Sequence, residues 1–317
     1  MMNEPPRNKK SKELFQCHEE ILLLCQKLSQ IQIHNLKSKI QNSNMSNNIT
    51  LPNIGCAAWG WREVEIPEYF HTISNQGIRS VEVNAHPQAP KHLLNDGDDE
   101  SVSKIATWAQ EAGVDIICIA GRNNFTIPEA ADLEKEIQRI ERFVDIAQQL
   151  GAKFVRLLSG DHRNDHILPD VFPRLHYAFN RIGDCAEKRG IKITIENHGG
   201  PTATGQRVAR IMEGIKSPAV GVNYDPANFL NQGTDPLMAL RYILPWVNYS
   251  HWKDVKWTNG GPQFCAFGKG EIVWQPIIQE LLNAGYQGYW VVEYEEPSDV
   301  EDGTKESINN LCKMLGM

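Results

Sequence analysis

Four runs late in the chain end in side chains that can hold or move charge. Glu196-Asn197-His198 closes KITIENH (192–198), and Asp225 lies in VGVNYDP (220–226). His251, Lys253 and Asp254 fall in VNYSHWKDV (247–255), and Glu293 and Glu295 in GYWVVEYEE (288–296). Three carboxylates cannot sit together ionised unless a cation offsets their repulsion. One Glu, one Asp, one His and one Glu, each from a different run, make an oxygen-rich set with a single imidazole. Such a set suits Mn²⁺, Mg²⁺ or Co²⁺ and also accepts Zn²⁺. Each residue alone has an ordinary explanation: Asp225 could begin an Asp-Pro turn, and His251 could be a hydrogen-bonded core histidine. The joint pattern, one such residue at the same end of four consecutive runs, is what points to a cation.

Those residues converge only if a scaffold delivers the four run ends to one place. From about residue 51 the chain alternates between β-type runs and helical stretches. The eight β-type runs are IGCAAWGW (54–61), SVEVNA (80–85), DIICIAG (115–121), FVRLLSG (154–160) and the four above. Between them lie segments such as Pro128–Leu150, where Leu133, Ile137, Ile140, Val144 and Ala147 trace one helical face. Gly77, Gly113, Gly151, Gly190 and Gly285 precede several of the runs as helix stops. Eight strand–helix units predict an α/β fold, a (β/α)₈ barrel over 51–317, with its active site at the C-terminal ends of the strands. An open doubly wound sheet would want Gly-x-Gly-x-x-Gly after the first strand, and CAAWGWRE has none.

Residues 1–50 read differently. They carry seven basic and four acidic side chains, +3, whereas the remainder holds 25 basic and 35 acidic, −10, within a total of −7. A partial heptad (Leu14, Ile21, Leu28) predicts a helix over about 11–40, followed by an Asn/Ser-rich stretch from Gln41 to Asn48. We read this as a non-barrel N-terminal extension, partly helical or disordered, with the working domain beginning near Leu51; Met45-Ser46 even resembles a translation start. The longest apolar run there, Ile21–Cys25, is far too short to span a membrane. Seven cysteines without a Cys-x-x-Cys pair are expected to be reduced thiols of a cytoplasmic protein. The acidic body argues against a nucleic-acid partner. A homo-oligomer is compatible with the sequence.

The runs ITIENHGG, GVNYDPANF, SHWKDVK, FGKGEIVW and YWVVEYEE, in this order and spacing, resemble the xylose isomerase-like TIM-barrel superfamily, and within it the sugar phosphate isomerase/epimerase family. LGAKFVRLLSG (150–160) is similar to that family's fourth strand. The resemblance spans about 51–317. It implies a TIM barrel whose metal ligands fall on Glu196, Asp225, His251 and Glu293, with Glu196 and Glu293 also moving protons. It places Lys253 beside the metal, in the family's His-x-Lys-Asp, where its charge can bind a substrate oxygen. Asn228 stands where tagatose-type epimerases carry a substrate-binding histidine. Thr202 and Trp257 replace an acidic residue and an arginine of those enzymes, departures that speak against ketohexose 3-epimerisation.

The expected activity is that of a divalent-metal-dependent sugar isomerase or epimerase. A bound cation would polarise a carbonyl and an adjacent hydroxyl of a sugar or keto-sugar. One glutamate would remove the neighbouring proton to give an ene-diolate, and the other would return it. With a leaving group in the β position the same chemistry yields a lyase, of the inosose dehydratase or 3-keto-glycoside-cleaving kind. An apurinic-site endonuclease needs more metal ligands, and only His198 and His251 end late strands. A non-enzymatic binding protein would require a vestigial ligand set. Glu82, His86, Arg156, His198 and Trp59 are further candidates for lining the substrate pocket; Glu295 is an alternative ligand to Glu293. A phosphate site at Gly268-Lys269-Gly270 is not inferred.

Overall fold

A computed structural model of the chain describes residues 53–93, 97–160 and 165–317. The helix expected over 11–40 and the boundary near residue 51 lie outside the described residues. Eight parallel strands close into a barrel: β1 (Asn53–Cys56), β2 (Ser80–Ala85), β3 (Asp115–Gly121), β4 (Phe154–Leu157), β5 (Lys192–Glu196), β6 (Val220–Tyr224), β7 (Val247–Trp252) and β10 (Tyr289–Val292). Around the ring they run β1-β10-β7-β6-β5-β4-β3-β2, so sequence neighbours are spatial neighbours throughout. Strands covered on both sides read as near-continuous apolar text, and all five residues of β6 are buried.

The helices that cover the barrel follow their sequence signals. In the helix Ala130–Gln149, Leu133, Ile137, Ile140, Val144 and Ala147 are all buried against the sheet. The helix Asp99–Ala112 starts on Asp98, whose side chain accepts the Ser101 N–H at 2.7 Å. It stops at Gly113, whose φ of 65° is left-handed and which any Cβ would drive towards the Arg79 guanidinium.

The side-chain period of two sorts the barrel into layers. Ala57, Ile117, Cys118, Phe154, Tyr249 and Val291 form an apolar plug inside it, with the Phe154 and Tyr249 rings 4.9 Å apart. Two residues further along three of these strands come Arg156, His251 and Glu293. The plug therefore floors a polar layer nearer the strands' C-terminal ends. Intervening residues face outwards: Trp252 stacks on Trp290 at 4.7 Å beneath the helices.

One expectation fails after β7. The run VNYSHWKDV has the pattern of one strand, but the chain leaves the barrel at Lys253. A hairpin follows, β8 (Asp254–Thr258) pairing antiparallel with β9 (Gly261–Cys265). Asn259-Gly260 supplies its turn, a sequence signal for two-residue hairpins. Buried Asp254 pins the hairpin's base, because its carboxylate accepts from the Val255, Gly268 and Ile272 N–H groups and from the Trp274 indole. The Gly268-Lys269-Gly270 loop thus already folds around an internal anion, and a Cβ at Gly270 would lie 2.2 Å from Asp254 Oδ1.

Candidate metal centre

Glu196, Asp225, His251 and Glu293 are buried, and one potential ligand atom from each lies within 4.8 Å of all the others. Glu196 ends β5 and His251 is the fifth residue of β7. Glu293 prolongs β10, its N–H donating to the Trp252 carbonyl at 3.1 Å. Asp225 follows β6 and caps the helix Pro226–Asn231. Its Oδ1 accepts the Asn228 N–H at 3.0 Å, and Oδ2 accepts from Lys253 Nζ at 2.6 Å. The capping and ion-holding readings of Asp225 are therefore compatible, one oxygen for each. Asn197 locks its backbone, accepting the Asp225 N–H at 2.9 Å and donating to its carbonyl at 2.7 Å.

Lys253 ties the cluster to its rim: Nζ also meets Glu293 Oε2 and, at 2.7 Å, Glu295 Oε1, with the Phe264 ring 4.8 Å away. On the other side Arg156 Nε pairs with Glu196 Oε2 at 3.1 Å, and Asn228 Nδ2 donates to Glu196 Oε1 at 3.0 Å. His251 Nε2 lies 3.0 Å from Glu82 Oε1, which also accepts the Tyr249 hydroxyl at 2.9 Å. His251 Nδ1 is left buried without a hydrogen-bond partner, 3.3 Å from Glu293 Oε1 and 3.7 Å from Glu196 Oε1.

These neighbours bias each group strongly. Burial pushes the Glu196 carboxyl up, but the Arg156 and His251 charges outweigh it and hold Glu196 at about 2. For Asp225 burial prevails, with Glu293 and Glu196 adding to it, and the group sits near 7 despite Lys253. Burial opposes the charged form of Glu293, yet His251 and Lys253 hold it well below the carboxylate range. His251 is likewise penalised by burial, and Glu293 and Glu82 raise it well above an ordinary imidazole.

The donor set fits a divalent cation. The unpartnered Nδ1 faces two carboxylates, and the surroundings are short of positive charge. Five buried or half-buried carboxylates (Glu82, Glu196, Asp225, Glu293, Glu295) face two permanent cations, Arg156 and Lys253. With a neutral imidazole the formal excess is three negative charges, which a divalent ion would largely offset. Glu196, Asp225, His251 and Glu293 are the residues that would hold it.

The remaining candidates lie at different depths. Glu82 and Arg156 touch the cluster. His86 is half-buried, its ring 4.8 Å from Trp59, and burial together with Arg122 and Arg156 holds it down to about 4. Trp59 is half-buried with the Arg62 guanidinium over its ring at 4.9 Å. His198 is exposed, and its N–H donates to Thr202 Oγ1 at 3.0 Å. Trp257 is half exposed on the hairpin. Two contributors went unnoticed in the sequence, Asn197 and Tyr249. The period of two on β7 marks Tyr249 as sharing the inward face with His251; nothing local marks Asn197.

Comparison with known proteins agrees with this architecture. An inosose dehydratase of Lacticaseibacillus casei is 22% identical over 281 residues, 77% of this chain and 89% of that one. A crystal structure of a D-psicose 3-epimerase in the presence of D-fructose superposes with a TM-score of 0.67 at 18% identity, covering 84% of this chain and 100% of that one. A xylose isomerase-like TIM barrel protein from Mycobacterium smegmatis in complex with magnesium gives 0.66 at 18% identity, covering 86% and 98%. At such identities the structural likenesses establish the fold. A family model described as xylose isomerase-like TIM barrel matches residues 70–314, and the chain belongs to that family.

Proposed function

We propose that the protein is a divalent-metal-dependent sugar isomerase or epimerase that moves a proton next to a carbonyl. The observation that carries this reading is the buried Glu196, Asp225, His251 and Glu293 cluster with Lys253 at its edge. A divalent ion held there would act as a Lewis acid on a substrate carbonyl and the adjacent hydroxyl. The chain's own residues do the rest. Glu196 and Glu293, from β5 and β10, are the two carboxylates placed to take a proton from carbon and to return it after an ene-diolate has formed. Arg156 and Asn228 hold Glu196 in orientation, and the Lys253 ammonium offers a donor to a substrate oxygen. The apolar plug and the packed helices keep bulk water from beneath the reacting groups.

The likeness to an inosose dehydratase favours a second reading, in which a keto-sugar loses its β-hydroxyl after the same proton abstraction. Lys253 would then supply the proton that leaves with the oxygen. A metal-supplemented panel of ketoses, inososes and 3-keto-glycosides, followed by NMR in D₂O, separates the two. Deuterium entering a C–H bond without elimination supports isomerisation or epimerisation; release of water or aglycone supports the lyase. No exchange with any of them, while Glu196→Gln binds metal like the wild type, would sink both.

A further inference from the structure

We propose that Glu82 is a positioning residue for the candidate metal centre, fixing the ring of His251 so that Nδ1 is the nitrogen presented to a cation. The inference rests on the metal-centre part of the functional reading, and it assigns Glu82 a place other than the substrate pocket.

On the parallel ladder Glu82 pairs with Cys118, and Cys118 pairs with Phe154. Both partners belong to the apolar plug layer, so Glu82 is a carboxylate with apolar ladder neighbours on that side. It is 1% exposed. A buried carboxylate in such a layer is costly unless it is paired or hydrogen-bonded. Both of its donors come from β7, which is separated from β2 by β1 and β10 around the ring. Tyr249 gives its only hydroxyl proton to Oε1, and His251 meets the same oxygen through Nε2.

Oε1 already accepts the Tyr249 proton and serves as an acceptor, so the imidazole carries a proton on Nε2 to make this bond. In the neutral ring that metal ligation requires, the lone pair is then on Nδ1, the atom that lies unpartnered between Glu293 and Glu196. The opposite arrangement would leave Nε2 bare against a carboxylate and block Nδ1 with a proton. A carboxylate behind a ligating histidine fixes its orientation and raises its basicity, and loss of such a partner typically weakens metal affinity by about 10- to 100-fold. Tyr249 is the second member of the device, because its hydroxyl holds Oε1 at the height of the ring.

The test measures metal binding rather than turnover. Chelator competition with Mn²⁺ and Zn²⁺ on wild type, Glu82→Gln and Tyr249→Phe should give a loss of about 10- to 100-fold for Glu82→Gln. Tyr249→Phe should give a smaller loss in the same direction. In the zinc-loaded wild type, long-range ¹H–¹⁵N spectra of labelled histidines should place the His251 ring proton on Nε2. A folded Glu82→Gln that binds metal as tightly as wild type but has a raised KM would make Glu82 a substrate contact and overturn the inference. A proton on Nδ1 would overturn it as well, and that spectrum decides the matter if Glu82→Gln does not fold. Failure of the wild type to bind any divalent cation would instead remove the functional reading itself.

Discussion

The two halves of the barrel divide the work unequally. β5, β6, β7 and β10 supply the four clustered ligand-type residues together with Lys253 and Glu295. β1 to β4 supply none of the four, yet Arg156 from β4 and Glu82 from β2 reach across to grip Glu196 and His251. One half gathers the ligand-type side chains, and the other pairs with them through Arg156 and Glu82. A carboxylate cluster of this kind needs both, because unpaired buried charge is far more expensive than paired charge.

The sharpest way to break this division is in the ligand-gathering half. Glu293→Gln should lower kcat by about 10²- to 10⁴-fold on whichever substrate the NMR panel identifies. A variant that kept its rate would remove Glu293 from proton transfer. Dialysis against a chelator should abolish turnover and lower the melting temperature, since an ion bound only by the folded state stabilises it.

In the gripping half the expected loss is of stability. Arg156→Met leaves Glu196 buried without its counter-charge and should cost about 3–5 kcal/mol in a denaturant titration. Little change there would mean that Asn228 alone suffices.

Acid should part the halves further. His92, buried on the β2 side with Nε2 against the Trp61 carbonyl, is held down to about 4, chiefly by burial. Between its unfolded value near 6.5 and about 4 the unfolded chain binds the proton and the folded chain does not, so stability falls as pH falls through that window. The loss is roughly 3 kcal/mol at its limit. His86, half-exposed, acts in the same direction with a smaller effect. Glu196 acts in the same direction but in a lower window: its contribution is complete above an ordinary value near 4.5 and is lost only as pH drops towards about 2. Hydrogen exchange at pH 5 should therefore loosen the β1–β3 side first, and uniform loosening would erase the contrast. Smallest of all, Asn228→Ala should cost about 1 kcal/mol, read as a shift of the melting curve.

The ligand-gathering half was legible in the sequence for a physical reason. Each of its strands ends in its own polar residue, and a parallel barrel with sequential neighbours carries those ends to one rim. Glu196, Asp225, His251 and Glu293 needed only their positions along four runs. The gripping half was legible as residues but not as contacts. Glu82 and Arg156 were visible as polar groups in apolar strands, but a contact between positions 82 and 251 depends on the stagger of the closed sheet. The hairpin 254–265 had its Asn-Gly signal, but the run VNYSHWKDV hid where β7 stopped, since Asp254 is buried like a strand residue although it serves the hairpin's base.

The sequence by itself determined the order of strands and helices, the alternation that puts ligand types on the inward face, and the shortage of positive charge in the body. These are local or additive properties, set by side-chain period and composition. Only the tertiary structure decided which oxygen of Asp225 caps a helix, which nitrogen of His251 is left without a partner, and that Glu82 is buried against Tyr249 and His251. Those depend on distances between strands far apart in sequence, fixed by barrel closure and by a packed interior that leaves each buried polar group few partners.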